Sequence, residues 1–178
     1  MPAPVNVLAA ALVLTAPPAI APAPAHAAAT ISCHTSGGAE FSPGVRTVRQ
    51  DHRVDYFGDE RECVDHSDLG IGAARFYADL RDVKLSCLAG DVGRGHGRAM
   101  IRWDVRGTPL VSELDVTVTE GAVNTATATG MVVSGPFEGQ RFTGHFDTRL
   151  LGRTGECSAH PGSDGVRRAP FKGDFSVG

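Results

Sequence analysis

Seven histidines, twenty carboxylates and four cysteines are the side chains of this 178-residue chain with the most chemistry to offer. Their spacing decides which chemistry is open to them. The densest group is Asp59, Glu60, Glu62, Asp65, His66 and Asp68. Calcium takes six to eight oxygen ligands, and a loop carrying these side chains could supply several. Arg61 interrupts the set and the spacing matches no known calcium loop, so a solvated acidic loop is the plainer reading. His145 and Asp147 stand two apart and share one face of an extended segment; with His66 or His96 they could hold zinc. Cross-strand polar pairs among Arg141 and Arg149 account for them equally simply. Arg94, His96 and Arg98 alternate with Gly93, Gly95 and Gly97. A phosphate loop would lead into a helix, and here a strand pattern follows, so the expectation is a flexible turn able to meet an acidic glycan or a partner protein.

Nucleophilic catalysis finds little support. No serine lies in a G-x-S-x-G turn. Asp51-His52 and Asp65-His66 are sequence neighbours, which on a strand point to opposite faces and cannot relay a proton. No cofactor-binding motif is present.

The cysteines bear on compartment. Residues 1–30 contain no Asp, Glu, Lys or Arg, and Val5–Leu14 is an apolar run ending upstream of Ala25-His26-Ala27. That run has the size of a signal-peptide core and is too short to span a bilayer. The expected division is a signal peptide over residues 1–27 and one secreted domain over 28–178. No later segment approaches the apolar length of a membrane helix. In an oxidising compartment Cys33, Cys63, Cys87 and Cys157 read as two disulfides, with three pairings open. Cys33–Cys87 with Cys63–Cys157 is the pairing favoured. No pair has the C-x-x-C spacing of a zinc or redox centre. The net charge of −3 is mild and dispersed, which argues against nucleic acid as a partner.

The elements that must position these residues are strands. Ala74, Phe76, Ala78 and Leu80 alternate with Arg75, Tyr77, Asp79 and Arg81. The alternation resumes one residue out of step at Val83, which predicts a bulge or tight turn at Arg81-Asp82. Further alternation covers 99–105, 110–118, 142–150 and 171–177, with a less decided strand over 122–133. Shorter strands are predicted at 31–35, 45–49 and 53–57. Thr108-Pro109 reads as a hairpin loop, residues 134–139 as a turn, and 152–170 as the longest irregular stretch. Trp103 shares a face with Ile101 and Val105 and is expected in the core. Tyr56 and Tyr77 are expected outside, opposite inward-pointing Phe57 and Phe76. No helical periodicity is sustained. The fold class is all-β: an antiparallel sandwich or small barrel of about 8–10 strands.

Cys63-Val64, Leu85-Ser86-Cys87-Leu88, Arg98-x-x-Ile101-x-Trp103, Ser134 to Gly139 and Cys157 occur in an order that resembles a family of small secreted actinobacterial proteins. The resemblance implies a signal peptide, four cysteines, a Trp-containing hairpin and a G-x-F-x-G turn, and no assigned activity. The functional expectation is a non-catalytic extracellular module that binds a glycan, a cell-wall component or a protein, as a monomer and without cofactor. Two rivals stand beside it: a small barrel carrying an apolar ligand, and a metal-assisted hydrolase built on the His and carboxylate sites.

Overall fold

The computed structural model describes residues 30–87, 93–119, 124–150 and 164–178. Nine strands make up almost all of them: β1 (Ile31–Val45), β2 (Gln50–Gly58), β3 (Arg61–Asp65), β4 (Ile71–Leu85), β5 (Gly95–Val105), β6 (Thr108–Thr119), β7 (Thr125–Ser134), β8 (Arg141–Thr148) and β9 (Val166–Val177). All pairings are antiparallel, and the sheet closes because β9 pairs with β1 along its length. Of the two architectures expected, the barrel is the one present. β2 and β3 share one lane between β1 and β4. β2 pairs with Gly37–Ser42 of β1 and with Tyr77–Leu85 of β4, while β3 covers Ile31–Cys33 and Ala73–Ala74.

Period-two patterning drives this closure. Buried residues of β4 alternate with polar ones until Arg81 and Asp82, which together oppose Arg53 of β2. Asp82 adopts φ 54°, and the strand continues through the expected bulge to Leu85. The inward side chains of β2, β4, β8 and β9 meet in an aromatic cluster. Phe76 stacks on Phe142 and Phe146 at centroid distances of 5.8 and 5.2 Å, and Phe175 closes on both Phe76 and Phe142. Each buried ring contributes about 1.5–3 kcal/mol relative to exposure. Gly144 faces this cluster; a Cβ there would lie 2.6 Å from the Phe146 ring, so only glycine lets the ring lie against the β8 backbone.

One end of the barrel is plugged. Trp103 is fully buried, donates from Nε1 to Ser112 Oγ (2.8 Å), and meets Phe137 edge-on at 5.3 Å. Ser112 Oγ in turn donates to the Pro136 carbonyl (2.5 Å), fastening the turn after β7 across the barrel mouth. That turn takes positive φ at Gly135, Phe137 and Gly139. β4, β6 and β8 end, and β5, β7 and β9 begin, toward the other end.

Several expectations are corrected. The Cys33 bridge goes to Cys63, with a Cα–Cα distance of 4.1 Å, because β1 and β3 place the two residues directly opposite each other. That pairing excludes both Cys33–Cys87 and Cys63–Cys157. Among the described residues no cysteine is free, and Cys157 lies outside them. The hairpin turn is Arg106-Gly107, both at positive φ as a two-residue turn between twisted strands requires. Thr108-Pro109 belongs to β6, where pairing with β7 starts only at Glu113, so the missing Pro109 N–H lies where the sheet has one neighbour. Residues 46–49 turn between β1 and β2 instead of forming a strand, and β9 begins at Val166 rather than near 171. The acidic segment contains a strand, β3, that its charge concealed. The signal-peptide segment lies outside the described residues.

Candidate functional site

The barrel interior is filled. Its apolar cavity, lined by Phe41, Val54, Leu80, Val118 and Leu150 among others, amounts to about 20 Å³, room for little more than one water-sized sphere. Its polar lining is a single pair, Tyr56 Oη and Thr148 Oγ1 at 3.0 Å. Burial pushes the Tyr56 phenol up, partly opposed by that hydrogen bond. Ligand pockets in general run to about 300–1,000 Å³. Buried His52 donates from Nδ1 to the Pro43 carbonyl (2.7 Å) while its Nε2 has no partner.

The acidic segment is committed to structure. Asp59 lies 3.7 Å from Arg61, and Glu60 lies 3.4 Å from Arg75. Glu62 sits on β3 opposite Ala73, the His66 N–H donates to Thr30 O, and Asp68 occupies a left-handed turn position with φ 64°. Asp65 organises the β3–β4 connection, accepting from Ser67 N and Ile71 N at 2.8 Å each and from Ser67 Oγ at 2.5 Å. Burial raises its pKa, but these donors and the Gly70 N–H outweigh that and leave it below the usual carboxylate value. A carboxyl whose folded pKa is depressed contributes stability that is complete above its unfolded value, about pH 4, and lost as pH falls through the folded one. Asp65→Asn should therefore flatten the acid limb: between pH 7 and pH 3 the variant's urea midpoint falls less than the native protein's. Parallel midpoints would show that the turn owes nothing to the charge.

The other predicted ligands are dispersed. His145 is on the outer wall, its Nδ1 3.2 Å from Thr127 Oγ1, and its cross-strand neighbour is Asp174, whose carboxylate is hydrogen-bonded to His34. Asp147 faces Lys172 across β8–β9. His96 lies 3.8 Å from Asp82, and Arg98 lies 3.8 Å from Asp115. His66 belongs to the plugged end and His96 to the other, so neither joins His145. Among the described residues no group of three His, Cys, Asp or Glu side chains is placed to hold a metal. Exposed Arg94 precedes β5, but His96 and Arg98 are in it: the expected flexible loop is largely strand. Its glycines answer to crowding by bulged β4, since a Cβ on Gly97 would lie 2.0 Å from Asp79 O and one on Gly95 2.5 Å from Val83.

Two kinds of recess mark the outer wall. Around His34, His145 and Asp174 are polar clefts of about 600 and 410 Å³, whose side chains are largely engaged with one another across strands. The wall formed by β2, β4, β5 and β6 is different. Phe57 opposes Tyr77, Tyr77 opposes Met100, and Met100 opposes Glu113, giving one outward row across four strands. The β6–β7 register shift leaves Val133 as the extra residue of a bulge and turns it outward beside this row. Phe57, Met100 and Val133 are 50, 41 and 45% exposed, and the row forms the floor of a groove of about 400 Å³.

Here the sequence reading was inverted on one strand. Tyr56 is inside and Phe57 outside. The available signal was the company each ring keeps: Asp51, Arg53 and Asp55 share the phase of Phe57, whereas His52, Val54 and Gly58 share that of Tyr56. Tyr77, Phe76 and Trp103 stand where expected. No protein-family model matches the chain, and no curated protein or solved structure is significantly similar to it.

Proposed function

We propose that the protein is a secreted, non-catalytic binding module, of the small actinobacterial type it resembles, and that it engages a polypeptide partner through the groove floored by Phe57, Tyr77 and Met100. The observation that carries this reading is the contiguous exposed row of apolar side chains on a wall whose other outward positions are largely charged or polar. An oxidised Cys33–Cys63 pair supports an oxidising compartment, and the charge-free leader supports export. The carrier reading meets its requirement for a closed ring but has about 20 Å³ in which to place a ligand. The hydrolase reading has no converging set of ligands among the described residues.

The test is selection from a random-peptide phage library on the full-length protein, followed by affinity measurement on the native protein and on Met100→Asp. Met100 is exposed, so the variant should keep the native urea midpoint. Selected peptides should bind Met100→Asp at least about tenfold more weakly, a loss of about 1.4 kcal/mol. Peptides indifferent to the substitution, or no enrichment at all, would overturn the assignment.

A further inference from the structure

Cations gather at the end of the barrel opposite the Trp103 plug. β1 finishes and β2 begins there, and Arg46 and Arg49 stand in the connection between them. β4 finishes at the same end with Lys84 near its terminus, and Arg94 leads into β5. All four side chains are exposed. Three of these residues meet around Gly93. Its N–H donates to the Lys84 carbonyl (2.7 Å), and a Cβ built on it would lie 2.6 Å from Lys84 Cβ and 2.8 Å from Arg49 Nη2. The Arg49 guanidinium therefore crosses from the β1–β2 connection to lie against the glycine beside the Lys84 stem, and Arg94 is the next residue along. Arg46 belongs to the same rim, its carbonyl accepting from the Cys87 N–H (2.8 Å). Like charges brought together are unfavourable unless counter-charges offset them. Elsewhere on the wall they are offset. Arg53 holds Asp55 and its cross-strand neighbour Asp79, Arg75 faces Glu60, Arg98 faces Asp115, and Arg168 reaches Glu40 at 2.9 Å. Among the described residues no carboxylate lies within ion-pair reach of Arg46, Arg49, Lys84 or Arg94. Asp82 is turned to His96 at 3.8 Å, and Asp164 to Arg167 at 3.5 Å. Asp51 stands opposite Lys84 in the β2–β4 register, one carboxylate beside four cations.

We infer that this rim binds an acidic polysaccharide, whose carboxylates meet the guanidinium groups of Arg49 and Arg94 and the ammonium group of Lys84. The planar fork of a guanidinium matches the two oxygens of a carboxylate. Cations contributed by three separate segments suit a ligand that carries its charges in series, and the bound anions supply the counter-charge the rim lacks. Val48 is the large apolar side chain exposed beside them, and no aromatic ring is exposed among the described residues of the rim. Single-stranded nucleic acid is held largely by stacking on such rings, so the rim fits a sugar polymer better. This surface is separate from the groove of Phe57, Tyr77 and Met100, since Lys84 lies about 20 Å along β4 from Tyr77 at the rise of a strand.

The experiment is calorimetry of the full-length protein with oligogalacturonate at low salt. It compares native protein with Arg49→Gln, Lys84→Gln, Arg94→Gln and the triple variant, urea midpoints confirming that each is folded. Arg141→Gln, which removes the same charge near the plugged end, is the control. Affinity should fall about threefold in each single variant and about twentyfold in the triple variant, and should weaken with added salt. Arg141→Gln should bind as native protein does, and neutral dextran should not bind. Absence of binding to native protein, equal affinity in the triple variant, or an equal loss in Arg141→Gln overturns the rim as a site. Polyphosphate or a single-stranded oligonucleotide of the same charge, bound more tightly through the same three residues, overturns the polysaccharide in favour of a phosphate polymer. Peptides selected on the groove should bind the triple variant as they bind native protein, so that failure of the groove and failure of the rim are read separately.

Discussion

Trp103→Ala should lower the unfolding free energy by about 3–5 kcal/mol, read as a large shift of the urea midpoint. A domain of this kind commands about 5–15 kcal/mol in total, so the variant stands close to the limit of folding. Three losses combine. The largest fully buried side chain disappears and leaves a void. Phe137 loses the ring it meets edge-on at 5.3 Å. Ser112 Oγ loses its 2.8 Å donor while still holding the Pro136 carbonyl. Ser112→Ala isolates the polar part: it strands the buried indole N–H, at about 1–3 kcal/mol, and frees the half-buried Pro136 carbonyl. Because the two residues share one hydrogen bond, the double variant should cost less than the sum. A midpoint for Trp103→Ala within experimental error of native would mean that the plug does not close the barrel.

Removing the Cys33–Cys63 bridge should be nearly as damaging. The two residues are 30 apart in sequence, and releasing a loop of that size frees about 3–4 kcal/mol of unfolded-state entropy in the chain-entropy model. Cys33→Ser with Cys63→Ser should shift the urea midpoint accordingly, and non-reducing peptide mapping of the native protein should recover the two segments covalently joined. A map joining Cys33 to Cys87 instead would contradict the β1–β3 register and with it the lane that β3 occupies. The bridge fastens the shortest strand of the sheet, whose pairing with β4 consists of Arg61 opposite Ala74 and Glu62 opposite Ala73. Without the covalent tie that lane is held by these pairs, by three with Ile31–Cys33 of β1 and by the Asp65 turn.

What could be read from the residues was local. Period-two alternation located most strands, the phase slip at Arg81-Asp82 announced its bulge, and Ile101, Trp103 and Val105 shared an inward phase. What could not be read was which strand lies beside which. Antiparallel register is set by turns and by packing partners far along the chain, so no property of Asp55 alone reveals Asp79 opposite it, and none of Cys33 reveals Cys63. The same gap explains the metal-ligand readings. Asp65 has the chemistry of a ligand, but its oxygens are taken by Ser67 and Ile71, which only the turn geometry brings to it. The burial of Tyr56 escapes the sequence for a different reason. Comparing it with Phe57 by hydrophobicity favoured the wrong ring, whereas the charged residues sharing the Phe57 phase pointed outward. A phenol can be buried when a hydroxyl such as Thr148 is there to meet it.

The ring closure limits how anything can attach. An open sheet offers its outermost strand's amides and carbonyls to any extended chain, and many recognition domains use that generic adhesion. Here β9 hydrogen-bonds to β1, and among the described residues the stretches with one strand neighbour include the start of β6, where Pro109 offers no amide hydrogen, and the start of β9, whose pairing with β8 begins at Phe171. On the function proposed above, a partner would therefore meet mainly the side chains of the wall, since the ring leaves short stretches for main-chain pairing among the described residues.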